Sequence, residues 1–220
     1  IAPAAAQAAA ESGVATRPIA DIAAYRESLS RFVYQTSMIM RPVFAAAKAS
    51  LQRVAYAEGE DERVLRAVQV AVEEGLAKPI LIGRPAVIEA RIAKAGLRLQ
   101  AGVNYEVCNP EDDPRFRQYW EAYHRLMGRK GITTEGAKAA VRRSNTIIAA
   151  LMVHLGDADA MLAGLVGRFD RHLAHIEEVF GVQPGVDRMA TVNAVMLEDR
   201  TLFIADTYIN EDPSAEELAQ

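Results

Sequence analysis

The chain has 220 residues, half of them hydrophobic, and a formal charge of -4 from 25 basic and 29 acidic side chains. That length can bury a real core and allows one large or two small domains. Acids and bases are interspersed, so no basic stripe offers itself to nucleic acid; Cys108, the one cysteine, has no internal disulfide partner and fits a small buried hydrophobe in a reducing cytoplasm.

In chain order, the first ten residues are apolar and Ala-rich, lack a basic leader, and are interrupted at Glu11 well short of a membrane span. They predict an amphipathic or buried helix. Residues 19–34 place Ile19, Ile22, Ala23, Arg26, Leu29 and Val33 at helical spacing, and residues 38–49 predict a second apolar helix with Pro42 near its start. Nearly free of glycine, these helices read either as packing on a main lobe or as an inter-domain connector or oligomer contact.

Val54, Ala55, Tyr56 and Ala57 predict a strand that stops at Glu58 and Gly59, and the helical period of Val64, Leu65, Val68 and Val72 ends at Gly75. A second strand over residues 79–82 follows so closely that the unit must be a right-handed crossover onto a parallel sheet, which makes the chain α/β. Residues 85–95 predict a helix stopped by Gly96, and residues 105–108 a third strand before the Asn109-Pro110 turn. Asp112 or Asp113 then caps a helix from Pro114 that turns Phe116, Tyr119, Trp120, Tyr123 and Leu126 toward the core.

Thr133 or Thr134 opens the next helix, residues 145–154 form a buried one, and residues 160–164 a strand leading into Leu165, Val166, Gly167, Arg168 and Phe169. A helix over 170–180 stops at Gly181. Residues 189–197 and 202–206 are two strands joined tightly through Glu198, Asp199 and Arg200, which suits an antiparallel pair. The change of connection style predicts a lobe boundary near residues 181–187, which with the helices ahead of the first strand would divide the chain into 1–50, 51–183 and 184–220. Ser214 and Glu217 have capping-box spacing near the end of the chain, which reads as a helix cut within a longer polypeptide.

Glu58, Glu60, Asp61 and Glu62 gather where a strand meets a helix, and acids there complement the helix dipole. The turn has no glycine-rich cradle and its charge repels phosphate, and no G-x-G-x-x-G occurs to mark a dinucleotide site. His172, His175 and Glu178 fall at i, i+3 and i+6 of one predicted helix, a spacing that could face a metal, but no second motif supplies further ligands and no metal site is assigned. Asp157 and Asp159 flank a turn and read as loop and capping residues.

The run Glu58-Gly59-Glu60-Asp61-Glu62-Arg63, with Leu65, Ala67 and the segment from Gly75 to Gly83, resembles the opening of the phosphate acetyl/butyryltransferases. The resemblance continues through Lys130-Gly131-Ile132-Thr133, Leu155-Gly156-Asp157-Ala158-Asp159-Ala160 and Phe203-Ile204-Ala205-Asp206. Ahead of it, residues 1–9, Ser12-Gly13-Val14-Ala15 and Arg17-Pro18-Ile19 resemble the tail of the catalytic part of the large bacterial NADP-dependent malic enzymes. In those proteins a Tyr-Arg-x-x-Leu helix, here Tyr25, Arg26 and Leu29, leads into a phosphotransacetylase-like domain.

Together the two resemblances imply a fragment of such an enzyme. Its fold would be a three-layer α/β/α arrangement with a mainly parallel sheet, of the isocitrate/isopropylmalate dehydrogenase type, with the second lobe only begun. The parent would oxidatively decarboxylate malate to pyruvate and CO₂ with NADP and Mg²⁺ or Mn²⁺, in the cytoplasm, as a homo-oligomer that binds neither membrane nor nucleic acid. This segment would hold no cofactor and no catalytic residue, and would sense acetyl-CoA as an effector. Arg168, Arg171 and His172, at a glycine-containing strand-to-helix turn, suit the phosphates of coenzyme A or are solvated surface residues; Arg129 and Lys130 would join them if the fold brings them near. The family's S-G-A-x-H-S-T turn is replaced by residues 163–169, and arginines of its pattern align with Met127 and Ala174. Losing such groups costs acyl transfer about 10² or more in rate each. The alternatives are an active phosphate acetyltransferase and a ligand-free oligomerisation module.

Overall fold

The computed structural model describes residues 2–26, 37–197 and 200–218. In chain order its elements are α1 (Ala2–Glu11), α2 (Ser37–Ala49), β1 (Gln52–Tyr56), α3 (Glu62–Glu73), β2 (Ala77–Ile82), α4 (Pro85–Ala95), β3 (Glu106–Cys108), α5 (Phe116–Met127) and a 3₁₀ turn (Gly128–Lys130). There follow α6 (Thr134–Arg143), α7 (Asn145–Leu155), β4 (Ala160–Leu162), α8 (Phe169–Phe180), β5 (Val192–Met196), β6 (Thr201–Ala205) and α9 (Ala215–Leu218). Residues 46–185 form one compact unit; residues 1–45 and 186–220 are grouped in the other.

In the larger unit the four strands lie in the order β3-β2-β1-β4, every neighbouring pair parallel, with Tyr56 opposite both Leu81 and Leu162. Successive strand residues face opposite sides, and the sequence fills both with apolar groups. Tyr56 and Leu81 pack with Val64, Leu65 and Val68 of α3 and Ile88 and Ile92 of α4. Ala55, Ala57, Ile80, Ile82 and Cys108 pack on the other side with Tyr119 and Tyr123 of α5, Val141 of α6, Ile147, Ile148 and Leu151 of α7 and Val179 of α8. Helices therefore cover both faces of a parallel sheet, which is the expected three-layer α/β/α fold.

Local chemistry sets the helix ends. Asp61 caps α3 by accepting from the Arg63 amide, Thr133 caps α6 through Gly136, and Ser144 caps α7 through Ile147. Gly59 is required by close approach: a Cβ there would lie 2.8 Å from both the backbone N and the O of Ile82. The acidic cluster does more than complement a dipole. Only Asp61 caps; Glu60 holds the Arg84 guanidinium at 2.8 Å and accepts its amide, Glu62 pairs with Arg66, and Glu58 reaches the far side of β1. The bond from Arg84 keeps the Glu60 carboxyl below its ordinary range, and the Arg63 side chain brings Asp61 down to about 2.

Several expectations are corrected. The aromatic helix starts at Phe116 rather than Pro114, because Asp113 uses its carboxylate to fold the turn back on the Arg115 amide and guanidinium. Its aromatic stripe does face the core as expected: Tyr119 and Tyr123 are buried, and Phe116, Trp120 and Leu126 pack against that core while partly exposed, Phe116 and Trp120 under the cations of Arg142 and Lys138. Asp157 and Asp159 lie in the loop before β4 as expected, but Asp159 does more than close a turn: it forms a two-point bond with Arg53 and accepts its amide, pinning the start of β4 to β1. Asp157 likewise accepts from the buried Tyr119 hydroxyl at 2.8 Å. The strand predicted to reach Gly164 ends at Leu162. Burial, aided by Asp113, pushes the Cys108 thiol up to about 12, as befits a small core residue.

In the smaller unit, α1 is a helix with no buried residue, so the buried alternative fails, and residues 22–26 are helical. The remainder of the helix expected over 19–34 falls mostly on residues 27–36, outside the described residues. β5 and β6 pair antiparallel as expected, with Met196 opposite Thr201; Glu198 and Asp199 of the expected turn lie outside the described residues. Ser214 and Glu217 exchange both bonds of a capping box at the start of α9.

Candidate functional site

The chain lays down β1, β2 and β3 in one direction from the sheet centre, then returns to add β4 on the other side of β1. The carboxyl ends of β1 and β4 therefore flank the point where strand order reverses, the place where open α/β sheets leave a crevice for ligands. A cleft of about 760 Å³ lies there, lined by Ala57 and Glu58 after β1, by Val166, Gly167, Arg168, Arg171, His172 and His175 after β4, and by residues of the α6–α7 junction.

Four ties shape it. Glu58 Oε1 accepts the Gly164 amide at 2.8 Å, and the Leu162 carbonyl accepts from Ala57, so the loop after β4 is hung on the turn after β1. Asn145 donates its side-chain amide to Ala57 O at 2.9 Å, bringing the start of α7 to the same turn. His172 sits between Thr146 Oγ1 and Val166 O, 2.8 Å from each. Gly167 has φ of +112° and a Cβ there would lie 3.0 Å from His172 Nε2, so glycine suits both the turn and the neighbour.

Arg168, Arg171 and His172 all line the cleft, but they differ in state. Arg168 is an exposed side chain bound to Asp170 through two nitrogens, at 2.7 and 3.0 Å, and that pairing lowers the Asp170 carboxyl. Arg171 is exposed without an ion pair among the described residues. Arg129 and Lys130 are exposed on the 3₁₀ turn and do not line this cleft. Arg143, which the sequence reading missed, does line it. Its signal was faint: it ends one helix just before Ser144 caps the next, and only the packing of α7 beside α8 sets it near the loop after β4.

His172, His175 and Glu178 do not converge as a ligand set. His172 turns to Thr146, while His175 Nδ1 meets Glu178 Oε2 at 3.0 Å and the same oxygen accepts from the Tyr123 hydroxyl. No group of three or more His, Cys, Asp or Glu among the described residues could hold a metal. Met127 is buried in the core and Ala174 is exposed on α8; neither lines the cleft. Residues 163–169 give the cleft no hydroxyl at the position of the hydroxyl-rich turn in the resembled family.

The cleft lies at the strand-order reversal of a parallel α/β sheet, where such sheets commonly take their ligands, and it is edged by arginines and a glycine turn. Residues 38–220 match the phosphate acetyl/butaryl transferase family, and the chain belongs to it. Over its whole length it is 51% identical to an NADP-dependent malic enzyme of Salmonella typhimurium and 52% identical to an NAD-dependent malic enzyme of Rhizobium meliloti. It spans 29% of the length of each of these relatives. The crystal structure of a phosphotransacetylase from Streptococcus pyogenes superposes with a TM-score of 0.72 at 27% identity, covering 82% of this chain and 55% of that one.

Proposed function

We propose that this chain is the phosphotransacetylase-like regulatory part of a malic enzyme that oxidatively decarboxylates malate to pyruvate and CO₂ with NADP, and that its cleft binds acetyl-CoA without transferring the acetyl group. The identity of about half the residues to malic enzymes along the full chain supports the parent activity. The single observation behind the ligand reading is the arginine-edged cleft at the reversal of strand order, whose loop offers a glycine turn but no hydroxyls. NADP and a divalent metal would bind elsewhere in the parent; the chain carries no G-x-G-x-x-G turn, and among the described residues no cluster of metal-binding side chains occurs. Acetyl-CoA would act by binding one arrangement of the enzyme more tightly than another, and by linkage would alter malate turnover.

Titration of the full-length malic enzyme with acetyl-CoA, followed by binding heat and by the rate of NADPH formation, tests this. Absence of binding, or binding and rate response untouched by Arg168→Ala together with Arg171→Ala, sinks it. Kinship with phosphotransacetylases favours a second reading, an active phosphate acetyltransferase. Steady formation of acetyl-CoA from acetyl phosphate and CoA by the full-length protein, at a rate near that of an authentic transferase, would establish that reading instead.

A further inference from the structure

We infer that Arg143 and Arg171, together with the first turn of α7, form the phosphate-holding subsite of the cleft, and that Arg168 lies outside it. The inference rests on the cleft being the anion site proposed above, and it adds which groups hold the charge. Three arginines line the cleft. Arg168 is already neutralised by the two-point bond to Asp170 two residues on. Arg143 and Arg171 make no ion pair with any described residue, although both line a concave surface where a guanidinium can be shared with a ligand.

One bond explains why the segments that carry these two arginines border the same cleft. Thr146 is the third residue after Arg143 and His172 is the next after Arg171, and the 2.8 Å contact between Thr146 and His172 staples their segments together. His172 is fixed from its other side by Val166 O, so the staple holds the loop after β4 as well. The first residues of α7, Asn145, Thr146 and Ile147, line the same cleft. Ser144 satisfies one amide of its first turn, and the start of an 11-residue helix adds N–H groups and the positive end of its dipole. Glu58 is the one carboxylate in the lining, and it is bound to the Gly164 amide.

Two planar forks and a helix start suit an oxyanion with several acceptor oxygens, a phosphate or diphosphate, better than a carboxylate, which one fork would satisfy. The source is either free orthophosphate or pyrophosphate, or the phosphates of acetyl-CoA. Calorimetric titration of the full-length protein with orthophosphate, pyrophosphate and acetyl-CoA, in wild type and in Arg143→Gln, Arg171→Gln and Arg168→Gln, separates them. All three arginines are exposed, so the variants should unfold at the wild-type temperature.

The expected result is a loss of about tenfold or more in affinity for Arg143→Gln and for Arg171→Gln, and of less than about threefold for Arg168→Gln. Arg143→Gln binding within about threefold of wild type, or Arg168→Gln losing as much as the other two, overturns the assignment. Pyrophosphate binding that depends on Arg143 and Arg171, without any acetyl-CoA binding, supports the subsite and defeats the acetyl-CoA reading. Acetyl-CoA binding that ignores both variants does the reverse, and no binding by any of the three anions defeats both.

Discussion

The parallel sheet of residues 46–185 and the hairpin of β5 and β6 draw on similar residues and reach opposite exposure. Ala55, Leu81 and Ile82 in the sheet are fully buried, whereas Val192 and Phe203 in the hairpin are 66% and 74% exposed. Strand composition does not account for this, since the strands of both regions carry Val, Ile and Leu. The sheet is built by crossovers, and each crossover brings a helix that covers a face. The two hairpin strands follow each other within a few residues and pair antiparallel, so no crossover helix lies between them to cover a face. Apolar character makes a strand available for burial; connectivity decides whether burial happens.

Truncating core and hairpin side chains strains this comparison hardest. Leu151→Ala, in fully buried α7, should lower unfolding free energy by about 2–5 kcal/mol, while Phe203→Ala should stay within about 0.5 kcal/mol, both read from urea midpoints. A large loss at Phe203 would mean the hairpin is covered in solution. Next comes Gly59→Ala, which forces a Cβ against the backbone of Ile82 and should cost about 1–3 kcal/mol with little change in far-UV circular dichroism. Ser144→Ala removes the cap of α7 for about 1 kcal/mol, and if the helix start also serves a ligand, phosphate affinity should fall with it.

The smallest effect is in the acid limb. The Asp61 carboxyl, bound to Arg63 and to its own helix amide, titrates at about 2, below its unfolded value of about 3.9. A depressed folded pKa contributes stability present above the unfolded value and lost as pH falls toward the folded one, so the window is pH 4 down to about 2. Asp61→Asn keeps the cap but removes the titrating group. Its urea midpoint should therefore decline less steeply across that window than the wild type's, and equal slopes would show that Asp61 does not contribute.

Much of the fold was legible because its signals are local. The strand, helix and strand from Gln52 to Ile82 could be read from a period of two, then 3.6, then two, with glycine at each stop. The Thr133 cap and the Gly96, Gly131 and Gly156 helix ends are likewise local, each glycine with positive φ. What escaped was long-range pairing of polar groups. Asp159 looked like a turn residue because its partner Arg53 is 106 positions away, and Glu58 looked like helix-end charge because its partner Gly164 is equally distant. The candidate site divided the same way: Arg168, Arg171 and His172 stood out beside their glycines, the fold does not bring Arg129 and Lys130 into the cleft lining, and Arg143 gave only a faint signal.

The sequence by itself determined that this is a parallel α/β protein and which family it belongs to, because periodicity, caps and the Glu58–Arg63 motif are properties of neighbouring residues. Only the tertiary structure decided where an anion could sit. The return of β4 to the side of β1, and the contact between Thr146 and His172, set side chains from distant segments around one cleft. A charge left without a partner is a property of three-dimensional neighbours, and no pattern along the chain records it.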